Sequence, residues 1–123
     1  MKMELTKEFN FACSHRLEGH AGLCKNIHGH NYKVLVTVKH KIEAVSEVDG
    51  TSRGMVIDFK ELKHIVNGVL DELDHAFVYN VGDSDSVDIA EFLVGKIKQK
   101  IFPVTFRTTT ENLAKYIYHL LNL

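Results

Sequence analysis

The chain has too few cysteines for a disulfide framework. Cys13 and Cys24 are the only two, and in a chain with no secretory features they read as thiols or ligands. It also lacks a charge bias: 15 Lys and Arg stand against 16 Asp and Glu, so the basic footprint of a nucleic-acid binder is missing. Apolar runs extend only a few residues, and the start "MKMELTKEF" contains no apolar h-region. A membrane span and a signal peptide are both excluded on that reading, and a cytoplasmic location is expected. Internal repeats, low-complexity tracts, linkers, phosphate-cradling glycine motifs and serine nucleophile elbows are likewise missing. A segment beginning at Asp83 starts like a calcium loop, but Asp88 stands where the glycine is needed and Val94 where the final acid is needed.

What the chain has in excess is histidine, eight in all, four of them (His15, His20, His28, His30) close together. With 123 residues it is long enough for one domain with a core of its own, and a single domain over 1–123 is expected. "FNFACSHRL" alternates, placing Phe9, Phe11, Cys13, His15 and Leu17 on one face of a strand. After a loop, His28, His30, Tyr32, Val34, Val36 and Val38 share one face of a second strand. "IEAVSEVDGTSRG" reads as a polar turn region. The period then changes: Phe59, Leu62, Ile65, Val66, Val69, Leu70 and Leu73 recur at helical spacing, with Asp58 as N-cap and Glu61 completing a capping box. A shorter helix opens near Ser86 and ends before Pro103, where "KIFPVTF" reads equally well as a strand. A last helix is expected behind a Thr108/Glu111 capping box, its stripe made by Leu113, Ile117, Leu120 and Leu121.

The histidines carry the chemistry. On a strand, residues i and i+2 share a face roughly 6.5–7 Å apart, so His28 and His30 converge on one point. If the two strands pair antiparallel, facing Cα atoms lie roughly 4.5–5.5 Å apart and His15 arrives beside them. Three imidazoles on the apolar parity invite a cation, and three protein ligands leave one tetrahedral position open, as in a catalytic zinc site. Zinc suits imidazole ligation best, although Co, Ni and Fe(II) accept the same ligands. Cys24, in the loop before His28, can serve as base, nucleophile or fourth ligand. Asp74-His75, directly after the apolar stripe of the long helix, reads as an acid–base pair or as a C-terminal cap. A non-catalytic zinc module closed by Cys13 or Cys24 is the rival reading. A cupin-like His-x-His oxygenase is disfavoured by the helices that follow the hairpin.

These stretches, "FACSHRL", "CKNIHGHNYKVLVTV", "GMVIDFKELK", "LDHAF" and "TTTENLAKYI", resemble in order the 6-pyruvoyltetrahydropterin synthase superfamily. The short spacer from Cys24 to His28 is similar to the 6-carboxytetrahydropterin synthase branch of queuosine biosynthesis. The resemblance implies an α+β tunnelling fold of ββααββ type, an antiparallel sheet packed by helices on one face. It also implies that the chain ends short of the family's last two strands. It implies zinc on His15, His28 and His30, Cys24 as general base, Asp74 and His75 as the second acid–base pair, and Thr109 and Thr110 near a pterin ring. Glu111 is left to the capping box. The implied substrate is a pterin triphosphate, 7,8-dihydroneopterin triphosphate, converted to 6-carboxytetrahydropterin with loss of acetaldehyde and triphosphate. Triphosphate elimination of the 6-pyruvoyl type is the alternative within the family. The contacts to the triphosphate stay open, with Lys25 and Arg16 as candidates. A homo-oligomer, a hexamer built as a dimer of trimers, is implied as well, with neither nucleic acid nor membrane as partner.

Overall fold

A computed structural model of the chain describes residues 1–41, 50 and 54–122. The elements are β1 (Lys2–His15), β2 (His28–Lys41), α1 (Phe59–Leu73), β3 (Phe77–Asn80), α2 (Ser84–Ile97), β4 (Ile101–Val104) and α3 (Thr110–Leu121), with a 3-10 turn at Leu23–Lys25. The polar turn expected over 42–54 lies, apart from Gly50 and Gly54, outside the described residues. No described helix is long and apolar enough to cross a membrane.

β1 and β2 form the expected antiparallel pair, in register from Lys2↔Lys41 to His15↔His28. Alternation decides what lies inside: Phe9, Phe11 and Cys13 are buried, and Tyr32, Val34, Val36 and Val38 pack partly buried on the same side. α1 covers them with Leu62, Val66, Leu70 and Leu73, and α3 with Leu113 and Ile117. The buried stripe of α1 is narrower than the periodicity predicts, since Phe59 and Ile65 are exposed. The same holds for α3, where Leu120 faces outward.

The fold is α+β as expected, but the sheet is mixed and not antiparallel throughout. Its order is β2-β1-β3-β4, with β3 parallel to β1 and β4 parallel to β3. For β3 and β4 the physical reason is α2. A helix between β3 and β4 returns the chain to its starting end, and such a crossover makes its two strands parallel. α2 packs on β3 and buries Ser86 and Ala90 outside the main core. β1 and β3 share one ladder position, Ser14↔Phe77. The end of α1 extends that junction: Ser14 N–H donates to Ala76 O (3.0 Å), His75 N–H to Ala12 O (2.6 Å), and Ala12 N–H to Asp74 Oδ1 (2.9 Å). Lys100 Nζ donates to the carbonyls of Asp71 and Asp74, a cation on the unpaired acceptors of a helix C-terminus.

Asp58 is the N-cap of α1 as predicted, but its Oδ1 accepts from Lys60 N–H at 2.8 Å and not from Glu61 N–H as a capping box requires. The start of α3 is displaced by one residue. Thr109, not Thr108, is the N-cap, its hydroxyl accepting from Asn112 N–H at 3.2 Å. Thr108 is buried and used elsewhere.

Two predictions follow from these contacts. Thr109→Ala is expected to cost about 1 kcal/mol in urea unfolding, with Thr109→Ser close to the parent; equal loss in both variants would refute the hydroxyl's role as cap. Asp74 concerns pH. The Ala12 N–H foremost holds its carboxyl below the ordinary 3.8; burial opposes this, and His75 and Lys100 add to the lowering. Because the folded value is lowered, the carboxylate stabilises the fold above the ordinary value, and that contribution is lost as pH falls through the folded one. Between about pH 5 and pH 3, stability of the parent should fall more steeply than that of Asp74→Asn, as followed by urea midpoints.

Candidate metal centre and acid–base groups

The last residue of β1 and the first of β2 are both histidines, and the register sets His15 opposite His28 and Cys13 opposite His30. Three rings therefore leave the sheet from the core side at one end. Their centroids are 4.6 Å (His15–His28), 5.3 Å (His15–His30) and 4.7 Å (His28–His30) apart. One ring nitrogen from each lies within 4.8 Å of the others. Tetrahedral zinc with bonds of about 2.0–2.1 Å needs nitrogen separations of roughly 3.4 Å, so small rotations of the rings close the set.

Hydrogen bonding settles which nitrogens point inward. His15 Nδ1–H donates to Thr108 O at 2.8 Å, with Thr108 Oγ1 at 3.1 Å, and His28 Nδ1–H donates to Asn26 O at 2.7 Å. A carbonyl can only accept, so each ring carries its proton on Nδ1 and leaves a lone pair on Nε2. Both of these Nε2 atoms are buried, and among the described residues neither has a hydrogen-bond partner. Unpaired acceptors of this kind are costly in a protein interior, and a cation would satisfy both. Burial holds His15 below the ordinary histidine value, and the other two imidazoles push it the same way against the Thr108 carbonyl. Neutral rings are what ligation requires.

Among the described residues no cysteine or carboxylate joins this group. Burial pushes the Cys13 thiol up to about 11, which works against a thiolate ligand there. Cys24 is half-buried in the 3-10 turn, its carbonyl accepting from Leu17 N–H at 2.8 Å. Asp74 and His75 stand on the β3 side of β1, away from β2. His75 adopts a left-handed backbone (φ 61°) and its ring is mostly exposed, with Nδ1 3.0 Å from Asp74 Oδ2. An open cleft of about 360 Å³ is lined by both His30 and His75. Thr109 is occupied as a cap, and Thr110 is exposed in the first turn of α3.

The structure also gives two residues partners that the sequence did not indicate. Thr108 orients His15 from ninety-three positions away. Its spacing to Glu111 marks it as a cap, and nothing local marks it as the partner of His15. Arg16 does not stand free as a cation: its guanidinium is paired with Asp83 at 2.6 Å.

With this geometry in place, comparison with known proteins is informative. Residues 4–123 match the model of the family described as 6-pyruvoyl tetrahydropterin synthase. The chain is 42% identical to 6-carboxy-5,6,7,8-tetrahydropterin synthase of Haemophilus influenzae, over 96% of this chain and 81% of that one. It is 34% identical to the protein of that name from Aquifex aeolicus, over 98% and 80% of the two chains. Among solved structures, 6-pyruvoyl tetrahydropterin synthase of Caenorhabditis elegans superposes with a TM-score of 0.62 at 26% identity, covering 99% of this chain and 78% of the other. An uncharacterized protein from Wolinella succinogenes shares the fold with a TM-score of 0.75 at 22% identity, covering 98% and 83%. The chain belongs to the 6-pyruvoyl tetrahydropterin synthase family.

Proposed function

We propose that this chain is a zinc-dependent lyase. It converts 7,8-dihydroneopterin triphosphate to 6-carboxy-5,6,7,8-tetrahydropterin, releasing acetaldehyde and triphosphate, as a cytoplasmic homo-oligomer serving queuosine biosynthesis. The observation that carries the reading is the pair of buried Nε2 atoms on His15 and His28, without partners among the described residues, beside His30. Similarity to the 6-carboxy-5,6,7,8-tetrahydropterin synthases supports the choice of reaction.

His15, His28 and His30 would hold zinc, which supplies Lewis-acid polarisation of the substrate's side-chain oxygens when bound. Cys24 takes the proton from the substrate's side-chain carbon as general base. Asp74 accepts from His75 Nδ1–H, so Nε2 of that ring is free to deliver or take a proton. Ala12 N–H holds Asp74 Oδ1 and so fixes the carboxylate that orients the His75 ring. Thr109 and Thr110 lie at the start of α3, where the family places residues beside the pterin ring, and Thr109 does so while capping the helix.

Metal content tests the first half. The parent should carry one zinc per chain, and His28→Ala should lose it, as read by elemental mass spectrometry; retention by that variant would place the metal elsewhere. Cys24→Ala tests the second. Zinc should stay bound while turnover drops by roughly 10²–10⁴-fold, the usual size of general acid–base catalysis. Zinc lost together with activity would make Cys24 a ligand. Product mass distinguishes the reactions: a 6-pyruvoyl product in place of the 6-carboxy one would assign the other activity of the family.

A further inference from the structure

We infer that Arg16 and Asp83 are positioning residues that hold the Cys24 turn in place from the N-terminal end of α2. This rests on the reading that Cys24 acts on the substrate.

Arg16 follows His15 at the point where β1 gives way to the loop. Its side chain makes two different bonds. Nη1 meets Asp83 Oδ2 at 2.6 Å, and Nε donates to Lys25 O at 3.3 Å, on the residue immediately after Cys24. The next residue, Leu17, donates its N–H to the carbonyl of Cys24 itself at 2.8 Å. Two consecutive carbonyls of the turn are thus fixed from two consecutive residues of the strand end. Asp83 is in turn held by the hydroxyl of buried Ser86, which donates to the same Oδ2 at 2.5 Å. A second strut runs beside the first: Asn80 Nδ2 donates to Glu18 Oε1 at 3.0 Å, while Gly82 N–H donates to Asn80 Oδ1 at 2.9 Å and so fixes that amide.

The ion pair is largely shielded, with side chains 18% and 13% exposed. A pair so buried contributes little net stability, because desolvation offsets most of the attraction. What it gives is direction. A guanidinium presents its N–H groups in one rigid plane, so anchoring Nη1 on Asp83 aims Nε at the Lys25 carbonyl. Lysine has the charge and lacks the fork. Arg16 is also unsuited to the role of free phosphate cation, since its charge is already met by Asp83.

The test uses the full chain with its zinc and measures alkylation of Cys24 by iodoacetamide, resolved from buried Cys13 by peptide mass mapping. Arg16→Lys and Asp83→Asn should both raise the Cys24 rate by about threefold or more, because local opening exposes the thiol. Zinc content should remain at the parental level. With 7,8-dihydroneopterin triphosphate as substrate, kcat should fall about tenfold with KM within about twofold, a split expected from a displaced base and not from general loss of stability. Alkylation at the parental rate in both variants overturns the inference, whatever turnover does. Should Asp83→Asn fail to fold, Arg16→Lys decides alone, because it keeps a positive charge opposite Asp83. A parent that alkylates as described but does not process the pterin overturns the assigned reaction and leaves the clamp standing.

Discussion

Everything at the site depends on the register of β1 against β2. Side chains of a strand alternate between faces, so a slip of one residue would turn His28 and His30 away from His15 and break the group outright. The register is held by burial further along the hairpin. Phe9, Phe11 and Cys13 on one strand and Tyr32, Val34, Val36 and Val38 on the other must share the face covered by α1 and α3. The Phe11 and Tyr32 rings stack 5.0 Å apart just behind the histidines, pinning the pairing close to where it matters. Folding of the core and assembly of the three imidazoles are therefore one event, and a cation bound there would stabilise both.

The hairpin supplies the rings, and later parts of the chain aim them. Thr108, at the entry to α3, fixes the proton of His15, and Asn26, in the loop, fixes that of His28. The β3–α2–β4 segment reaches both groups of candidate residues. Through Asp83 and Asn80 it grips the Cys24 loop, and through Lys100 it closes the end of α1 from which Asp74 and His75 extend. Position at this site thus comes from elements packed around the sheet as much as from the sheet.

The alternation of "FNFACSHRL" and of the run after His28 was legible because half-buried strands keep a period of two over many residues. The helical stripe from Leu62 to Leu73 was legible for the same kind of reason, with Asp58 as its cap. β3 escaped notice because "FVYN" is only four residues, buried at Phe77 and Val78 with no alternation or flanking turn chemistry. Parallel pairing was hidden too, since it depends on how α2 folds back, which is a long-range matter. Thr108 and Thr109 are both good caps, and the spacing to Glu111 points to Thr108. The need of His15 for an acceptor takes Thr108 into the interior and leaves capping to its neighbour. The Arg16–Asp83 pair spans too much sequence for any motif to join its ends.

The backbone of His75 has one further consequence. At φ 61° a residue with a Cβ is disfavoured by roughly 1–2 kcal/mol, while glycine adopts the same geometry freely. A population of sequences selected for foldability alone would drift toward glycine at this place and become sturdier as it lost its imidazole. Any thermostability screen run without an activity assay would thus reward removal of the ring, and variants ranked by melting temperature would have to be read with this residue held constant.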